Sequence, residues 1–421
     1  MRYPSYRNYW LGLLASVTGF QIFRFSLVWM VFDITGSLLY LAYVTAAMGI
    51  PGIIFNLVGG VIADKLDKRR MVMTTQGLTG GLILLLATLT MQDAVQVWHI
   101  MIIAFLAGAV EAFDTPARQA LYPALIDRSV MVSAVAMNSA IWQGTRIVAP
   151  AVAGFMIDLI NLTTSFCVAS AGFIIMASVM HRLNVPRIEP GSRGNPAKDL
   201  LDGLNYVRKN SIFSILIGMT FFNSFFGMAY ILLMPAFAAD ILQVDARGMG
   251  VLLGSGGVGS LLTTFYLGSR SNVSHRGKLI VGGAVLFGLT VAAFAITSDV
   301  LGFFPLALGL MFLAGVFNSC YMINIQSALQ ILVPDGMRGR VMGFYGMTWS
   351  IMPLGGFQAG ALANFIGAPM AIAVGGLAVV VFAVGPALFN RAVLNLGTLL
   401  SEVESGPANP NKETAATTAD N

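Results

Sequence analysis

The sequence predicts an all-α membrane protein with twelve transmembrane helices arranged as two pseudo-symmetric six-helix bundles. Three observations predict it. The 421 residues are 57% hydrophobic and only 10% charged, and the mean hydropathy is +0.78; a soluble domain is about 45–50% apolar and about 25% charged. The apolar residues come in runs of about 20, the length a helix needs to cross a bilayer. The basic residues gather almost wholly on one side of those runs. Glycine is abundant, at 46 residues, as expected where membrane helices pack closely. Soluble, disordered, collagen-like and disulfide-rich classes are excluded.

Spans are expected near residues 10–32, 39–61, 73–91, 97–117, 133–157, 163–181, 213–235, 248–268, 278–297, 300–322, 340–362 and 369–389. The first run is as long as a membrane span, which sets it apart from a signal peptide. With the N-terminus inside, the inner segments hold Arg2, Arg7, Lys65, Lys68, Arg69, Arg70, Arg118, Arg128, Arg182 and most later Lys and Arg, whereas only Arg247 falls outside. The outer segments carry acids: Asp33, Asp93, Asp158, Asp240, Asp245 and Asp299. This asymmetry predicts a multi-pass protein of the plasma (inner) membrane with both termini cytoplasmic. The net charge of +5 then anchors the inner face to the bilayer and implies no nucleic-acid partner.

The halves repeat. Gln119-Ala-Leu-Tyr-Pro-Ala-Leu-Ile-Asp127 reads against Ser327-Ala-Leu-Gln-Ile-Leu-Val-Pro-Asp335, an offset of about 208 residues. The organisation expected is an N-terminal bundle (1–183), a cytoplasmic linker with an amphipathic helix (184–210), a C-terminal bundle (211–395) and a disordered cytoplasmic tail (396–421). Two such halves are a transporter plan with a substrate site between them near the midplane. Cys167 and Cys320 sit in apolar runs and are expected to be reduced core residues.

The loop after the second span reads Gly60-Val-Ile-Ala-Asp64-Lys65-Leu-Asp67-Lys68-Arg69-Arg70, and resembles the loop motif of the major facilitator superfamily, with Asp67 where that motif has its second glycine. The fifth span, Gly144-Thr-Arg-Ile-Val-Ala149-Pro150-Ala-Val-Ala153-Gly154, resembles the Gly-Pro-x-x-Gly-Gly element of the exporter branch. Phe113-Asp114-Thr115-Pro116-Ala117-Arg118-Gln119-Ala120, Asn138-Ser139 and Gln21-x-x-Arg24 are similar to a bacterial subgroup that includes the enterobactin exporter and macrolide efflux proteins. The resemblance implies alternating access. It also implies that Gly60, Asp64, Lys65, Lys68, Arg69, Asp114 and Arg118 form a cytoplasmic gate.

Four ionisable residues fall inside spans: Arg24, Glu111, Asp114 and Arg146. A charge at the centre of a membrane helix costs about 2.5–3.5 kcal/mol on insertion scales, so each is a functional candidate. At about 1.5 Å per residue, Arg24 and Arg146 sit roughly 20–25 Å above the inner boundary, Glu111 roughly 10 Å and Asp114 roughly 5 Å. Asp114 and Arg118 share a helix face at i, i+4. Glu111 has no charged neighbour at i±4 and lies deeper; it is expected as a proton carrier, as a structural partner for an arginine or for backbone groups, or as a substrate contact. Arg24 pairs with a carboxylate or with carbonyls, or else recognises an anionic or phenolate substrate. Arg146 is expected in helix packing with Gly144, Pro150 and Gly154, against the eighth span. Gln21, Phe222, Asn223, Phe226 and Asn318 complete the expected cavity, with Phe221 and Phe225 beside them.

No phosphate-binding Gly-x-x-x-x-Gly-Lys-Ser/Thr loop occurs, so the energy is expected from an ion gradient, protons first, or from the substrate's own gradient, with no cofactor, no metal and no catalytic residue. The function expected is a secondary active, proton-coupled exporter of a small amphipathic or anionic molecule such as a drug or siderophore. A monomer suffices, with the substrate, protons and bilayer as partners. An importer or lysolipid flippase of the same fold is the alternative. A membrane-embedded enzyme or sensor lacks the residues it would need.

Overall fold

The structure is a computed structural model that describes residues 3–65, 67–127, 130–183, 196–268 and 276–389. The expected tail 396–421 and linker residues 184–195 lie outside the described residues. So do the side chains of Gly60, Asp64 and Lys65.

Helices account for the fold, and no strand occurs among the described residues. The first half comprises α1 (Pro4–Thr35), α2 (Leu38–Lys65), α3 (Lys68–Met91), α4 (Val97–Leu121), α5 (Met131–Leu159) and α6 (Leu162–Arg182). Pro4 opens α1, where its missing N–H costs nothing. Gly36, at φ 58°, closes α1 with its N–H on the Phe32 carbonyl; that left-handed backbone suits glycine. The side chain of Asn161 caps α6 at the Thr164 N–H, 2.8 Å away.

An amphipathic helix, α7 (Pro196–Lys209), joins the halves and packs against α8 and α13. The Ser214 hydroxyl holds it by donating to the Val207 carbonyl at 2.7 Å. The seventh span is α8 (Ser211–Phe222), a π-turn (Asn223–Gly227), α9 (Tyr230–Ala236) and a second π-turn (Phe237–Ile241). Then follow α10 (Ala246–Gly268), α11 (Arg276–Leu301), α12 (Phe304–Leu332), α13 (Asp335–Met347), α14 (Met352–Ile366) and α15 (Ala368–Phe389). Ten helices among the described residues are long and apolar enough to cross a membrane. The twelve passes are completed by α2 and by α13–α14, which a 3-10 turn at Thr348–Ile351 divides.

Packing repeats as the chain does. In the first half α2 packs on α4 and α3 on α6; in the second, α10 packs on α12 and α11 on α15. Between the halves α2 meets α14 and α5 meets α10. Exchanging second with eighth span and fifth with eleventh maps one of these seams onto the other, so they are related by the pseudo-dyad. Both seams lie toward the end that carries the acids. Tyr43 stacks near Phe357 with ring centroids 6.2 Å apart.

The seam between α5 and α10 is the element expected from Gly144, Pro150 and Gly154. A Cβ on Gly250 would lie 2.6 Å from the Pro150 carbonyl oxygen, so the backbones touch where only glycine fits. Gly144 meets nothing within 4 Å and is not part of the contact. Gly250→Leu should hold the acidic end apart. Disulfide trapping across α5 and α10 should fall at least several-fold, and unchanged trapping would contradict the close packing.

Cys167 is exposed and Cys320 half-buried, and both are free. Cys167 is therefore not the core residue expected, because its apolar run faces outward from α6.

Candidate functional site: an arginine pair between the halves and a charge cluster in the first

Arg118 anchors a buried polar network in the first half. Its Nε meets the Asp114 carboxylate at 2.6 Å, as the i, i+4 spacing predicts. A second guanidinium nitrogen donates to Glu111 at 2.9 Å. Glu111 therefore has an arginine partner, at i+7 rather than at i±4. It lies two turns before Arg118 on the same face of α4, about 10 Å along the axis, and the long arginine spans that rise. The Thr75 hydroxyl (2.6 Å) and the Gln76 amide (2.9 Å) donate to Asp114. Ser16 donates to Gln76 at 2.6 Å, and Thr115 to Glu111 at 2.9 Å. Helices α1, α3 and α4 thus meet around two carboxylates that share one guanidinium. The cluster keeps one net negative charge, which is costly in a low-dielectric setting. The side chain of Asp114 is 2% exposed and that of Glu111 26%. Glu111 is the carboxylate with exposed surface.

The basic loop plays a different part. Asp67 caps α3, accepting from the backbone N–H groups of Arg69 and Arg70 at 3.0 and 3.2 Å. Its φ is −62°, so the turn needs no glycine. Arg69 donates from Nε to the Met180 carbonyl at 2.7 Å and from a terminal nitrogen to the His181 carbonyl. It thereby satisfies carbonyls at the C-terminus of α6, where a cation is favoured. Lys68 is buried at the start of α3.

Arg24, on α1, faces the other half. It lines a pocket with Leu27, Val28, Thr45 and Met48 from the first half and Met228, Ile231, Leu232 and Met352 from the second. The pocket holds about 50 Å³, far below the about 300–1,000 Å³ of a drug-sized site. Arg146 is exposed and lies within electrostatic reach of both Arg24 and Tyr230 of α9. The structure thus sets Arg146 beside the seam between the halves rather than inside the α5 packing. Among the described residues neither arginine has a carboxylate within ion-pairing distance. Gln21 is half-buried one turn before Arg24.

The expected aromatic and amide residues of the seventh span go elsewhere. Phe222 stacks on Phe382 of α15, Phe226 stacks on Phe222, and Asn223 is fully buried, with Asn318 donating to it at 3.5 Å. The π-turn is the reason. The Met228 N–H bonds the Asn223 carbonyl five residues back, and the extra residue rotates the helix face away from its 3.6 period. Met228, Ile231 and Leu232 line the pocket instead.

Two further aromatics, Phe20 and Trp142, lie beside the charged groups. The Arg24 guanidinium lies 5.8 Å from the Phe20 centroid, Phe20 is edge-on to Trp142 at 6.3 Å, and the Arg118 guanidinium lies 5.9 Å from Trp142. A continuous cation–aromatic–aromatic–cation file therefore joins Arg24 to the charge cluster. Helical spacing was the available signal: Phe20 and Arg24 are at i, i+4, but Trp142 is distant in sequence.

Residues 1–407 match the transmembrane secretion effector family. The chain is 26% identical over 356 residues to the staphyloferrin A transporter of Staphylococcus aureus, covering 83% of this chain and 87% of that one. It is 22% identical over 366 residues to macrolide efflux protein A of Streptococcus pyogenes, covering 85% and 89%. It is 23% identical over 322 residues to the enterobactin exporter EntS of Shigella boydii, covering 75% and 73%. Among solved structures, the nucleoside transporter NupG superposes with a TM-score of 0.71 at 14% identity, covering 92% of this chain and 100% of that one. A bacterial homologue of the human lysosomal transporter Spinster, inward-facing and unoccupied, gives 0.68 at 15% identity, covering 95% and 98%. The helical architecture, the paired seams and the whole-length match agree: the chain belongs to the transmembrane secretion effector family of the major facilitator superfamily, as a multi-pass membrane transporter of small molecules.

Proposed function

We propose that the protein is a proton-coupled exporter of a small anionic, amphipathic molecule, with its termini and basic loops in the cytoplasm. The observation that carries this reading is the Arg24–Arg146 pair at the seam between the halves, with no carboxylate in ion-pairing reach among the described residues. Arginine keeps its charge in proteins, and a cation at membrane depth is stabilised by an anion or by carbonyls. Two such cations repel each other, and an anionic ligand between them relieves that repulsion. The aliphatic and methionine walls, Leu27, Ile231, Met48 and Met228, suit an apolar body of variable shape.

The placement of basic residues supports cytoplasmic termini. The seams then close the outer end, as an inward-facing state requires. Substrate enters from the cytoplasm and seats its anion on the arginines. The halves rock, and the outer end opens. A proton from outside neutralises Glu111, releases Arg118 from one of its two carboxylates, and shifts Trp142 and Phe20 against Arg24. Two of the relatives carry efflux or export in their names, and the Ala149-Pro150 element favours the same direction.

Everted vesicles with an acid interior should accumulate a substrate found by screening secreted metabolites and toxic compounds in a deletion strain. Uptake confined to right-side-out vesicles would establish import instead. Arg24→Gln and Arg146→Gln should each raise KM for an anionic substrate by about tenfold to a hundredfold, the loss of one charge-assisted hydrogen bond of about 1.5–3 kcal/mol. An equal loss for a neutral analogue would remove the arginines from anion recognition.

A further inference from the structure

The acidic end holds a second built feature, on the lipid side of the seam between α5 and α10. A groove of about 770 Å³ runs between these helices, with Ile147, Val148, Val152 and Phe155 on one wall and Val251 and Val258 on the other. Ala151, Gly254 and Ser255 form its floor, and the Ser255 hydroxyl turns away to donate to the Leu308 carbonyl at 3.0 Å. The groove is therefore dry. From Ile147 to Ile160 it is about 20 Å long at 1.5 Å per residue, against about 15 Å for one leaflet's half of the hydrocarbon core. That shape fits an extended acyl chain.

The charges at its mouth select the headgroup. Arg247, the basic residue that the sequence sets alone on this side, holds its guanidinium over the Phe155 ring at 4.7 Å, where it is free to take a phosphate. The Asp158 and Asp245 carboxyls lie within hydrogen-bonding reach of each other, with Arg247 in electrostatic reach of Asp158. All three residues are exposed. Two facing carboxylates repel unless a proton or a cation lies between them. With both ionised, the two acids outweigh Arg247 by one negative charge, which disfavours an anionic lipid.

We propose that the groove binds one acyl chain of a phosphatidylethanolamine, with its phosphate on Arg247 and its ammonium between Asp158 and Asp245. The lipid bridges α5 of the first half to α10 of the second, so it favours the state in which the halves touch at this end. The site is separate from the Arg24 cavity and does not depend on the direction of transport.

The test is native mass spectrometry of the full chain released from vesicles containing equal phosphatidylethanolamine, phosphatidylglycerol and phosphatidylcholine. One phosphatidylethanolamine should be retained. Arg247→Ala should reduce its retention about tenfold, the loss of about one charge-assisted contact. Val152→Trp, which fills the groove from the lipid face without entering the seam, should reduce it as much. Asp158→Asn with Asp245→Asn should let phosphatidylglycerol compete. Equal retention of the three lipids would overturn the headgroup assignment, and undiminished retention in Val152→Trp would overturn the groove.

Discussion

Glu111→Gln is expected to abolish proton-driven transport, by about a hundredfold or more, while counterflow exchange of substrate stays near that of the unaltered protein. Glutamine is nearly isosteric and still accepts from Arg118 and Thr115, the two donors to Glu111. The change therefore leaves the packing of α4 in place and removes only the ability to change charge. Of the two carboxylates on Arg118, Glu111 is the one with exposed surface. Asp114 is enclosed by Thr75, Gln76 and Arg118. Counterflow requires the halves to rock with substrate bound but no net proton movement, so it separates coupling from folding. Loss of both activities in a folded variant would make Glu111 structural. Persistence of both would move coupling to another group.

Asp114→Ala is expected to be the most destabilising single change in the first half, at about 3–5 kcal/mol, the usual cost of removing one partner from a buried ion pair. Arg118 would keep only Glu111, and the Thr75 and Gln76 donors would lose their acceptor. Asp114→Asn should fall between that variant and the parent, because an amide oxygen still accepts one hydrogen bond. The check is the apparent melting temperature of the purified protein in detergent. A shift no larger than that of an exposed substitution such as Asp93→Asn would show that the cluster does not hold α1, α3 and α4 together.

Much of this architecture was legible because bilayer physics leaves few choices. Runs of about 20 apolar residues must be helices, and the internal repeat then dictates two halves. The i, i+4 pair of Asp114 and Arg118 followed from spacing on α4, and so did the packing of the Pro150 region on the eighth span. What sequence periodicity could not carry was register within broken helices and meetings between distant ones. The π-turn at Asn223–Gly227 turned Phe222 and Phe226 toward α15 and brought Met228 and Ile231 to the cavity. Arg118 reached two turns back to Glu111, beyond the one-turn spacing by which the sequence could name its partner. Arg146 looked like part of the glycine–proline packing element because it lies beside it in sequence; its helix face points instead to Arg24. Asp67 did the work of an absent glycine by capping α3, a role open to aspartate wherever a helix starts.

The central claim is that the two halves rock about the arginine pair, closing one end as the other opens. Spin-label distances at both ends of the bundle, measured on the full chain in lipid nanodiscs, test it most directly. One pair, at Tyr40 and Phe365, spans the acidic end, and the other, at Arg70 and Phe265, spans the basic end; all four positions are exposed. As pH and substrate are varied, the first distance should lengthen in the same population in which the second shortens. Lengthening of both together, or a fixed pair of distances under conditions that support transport, would contradict the account.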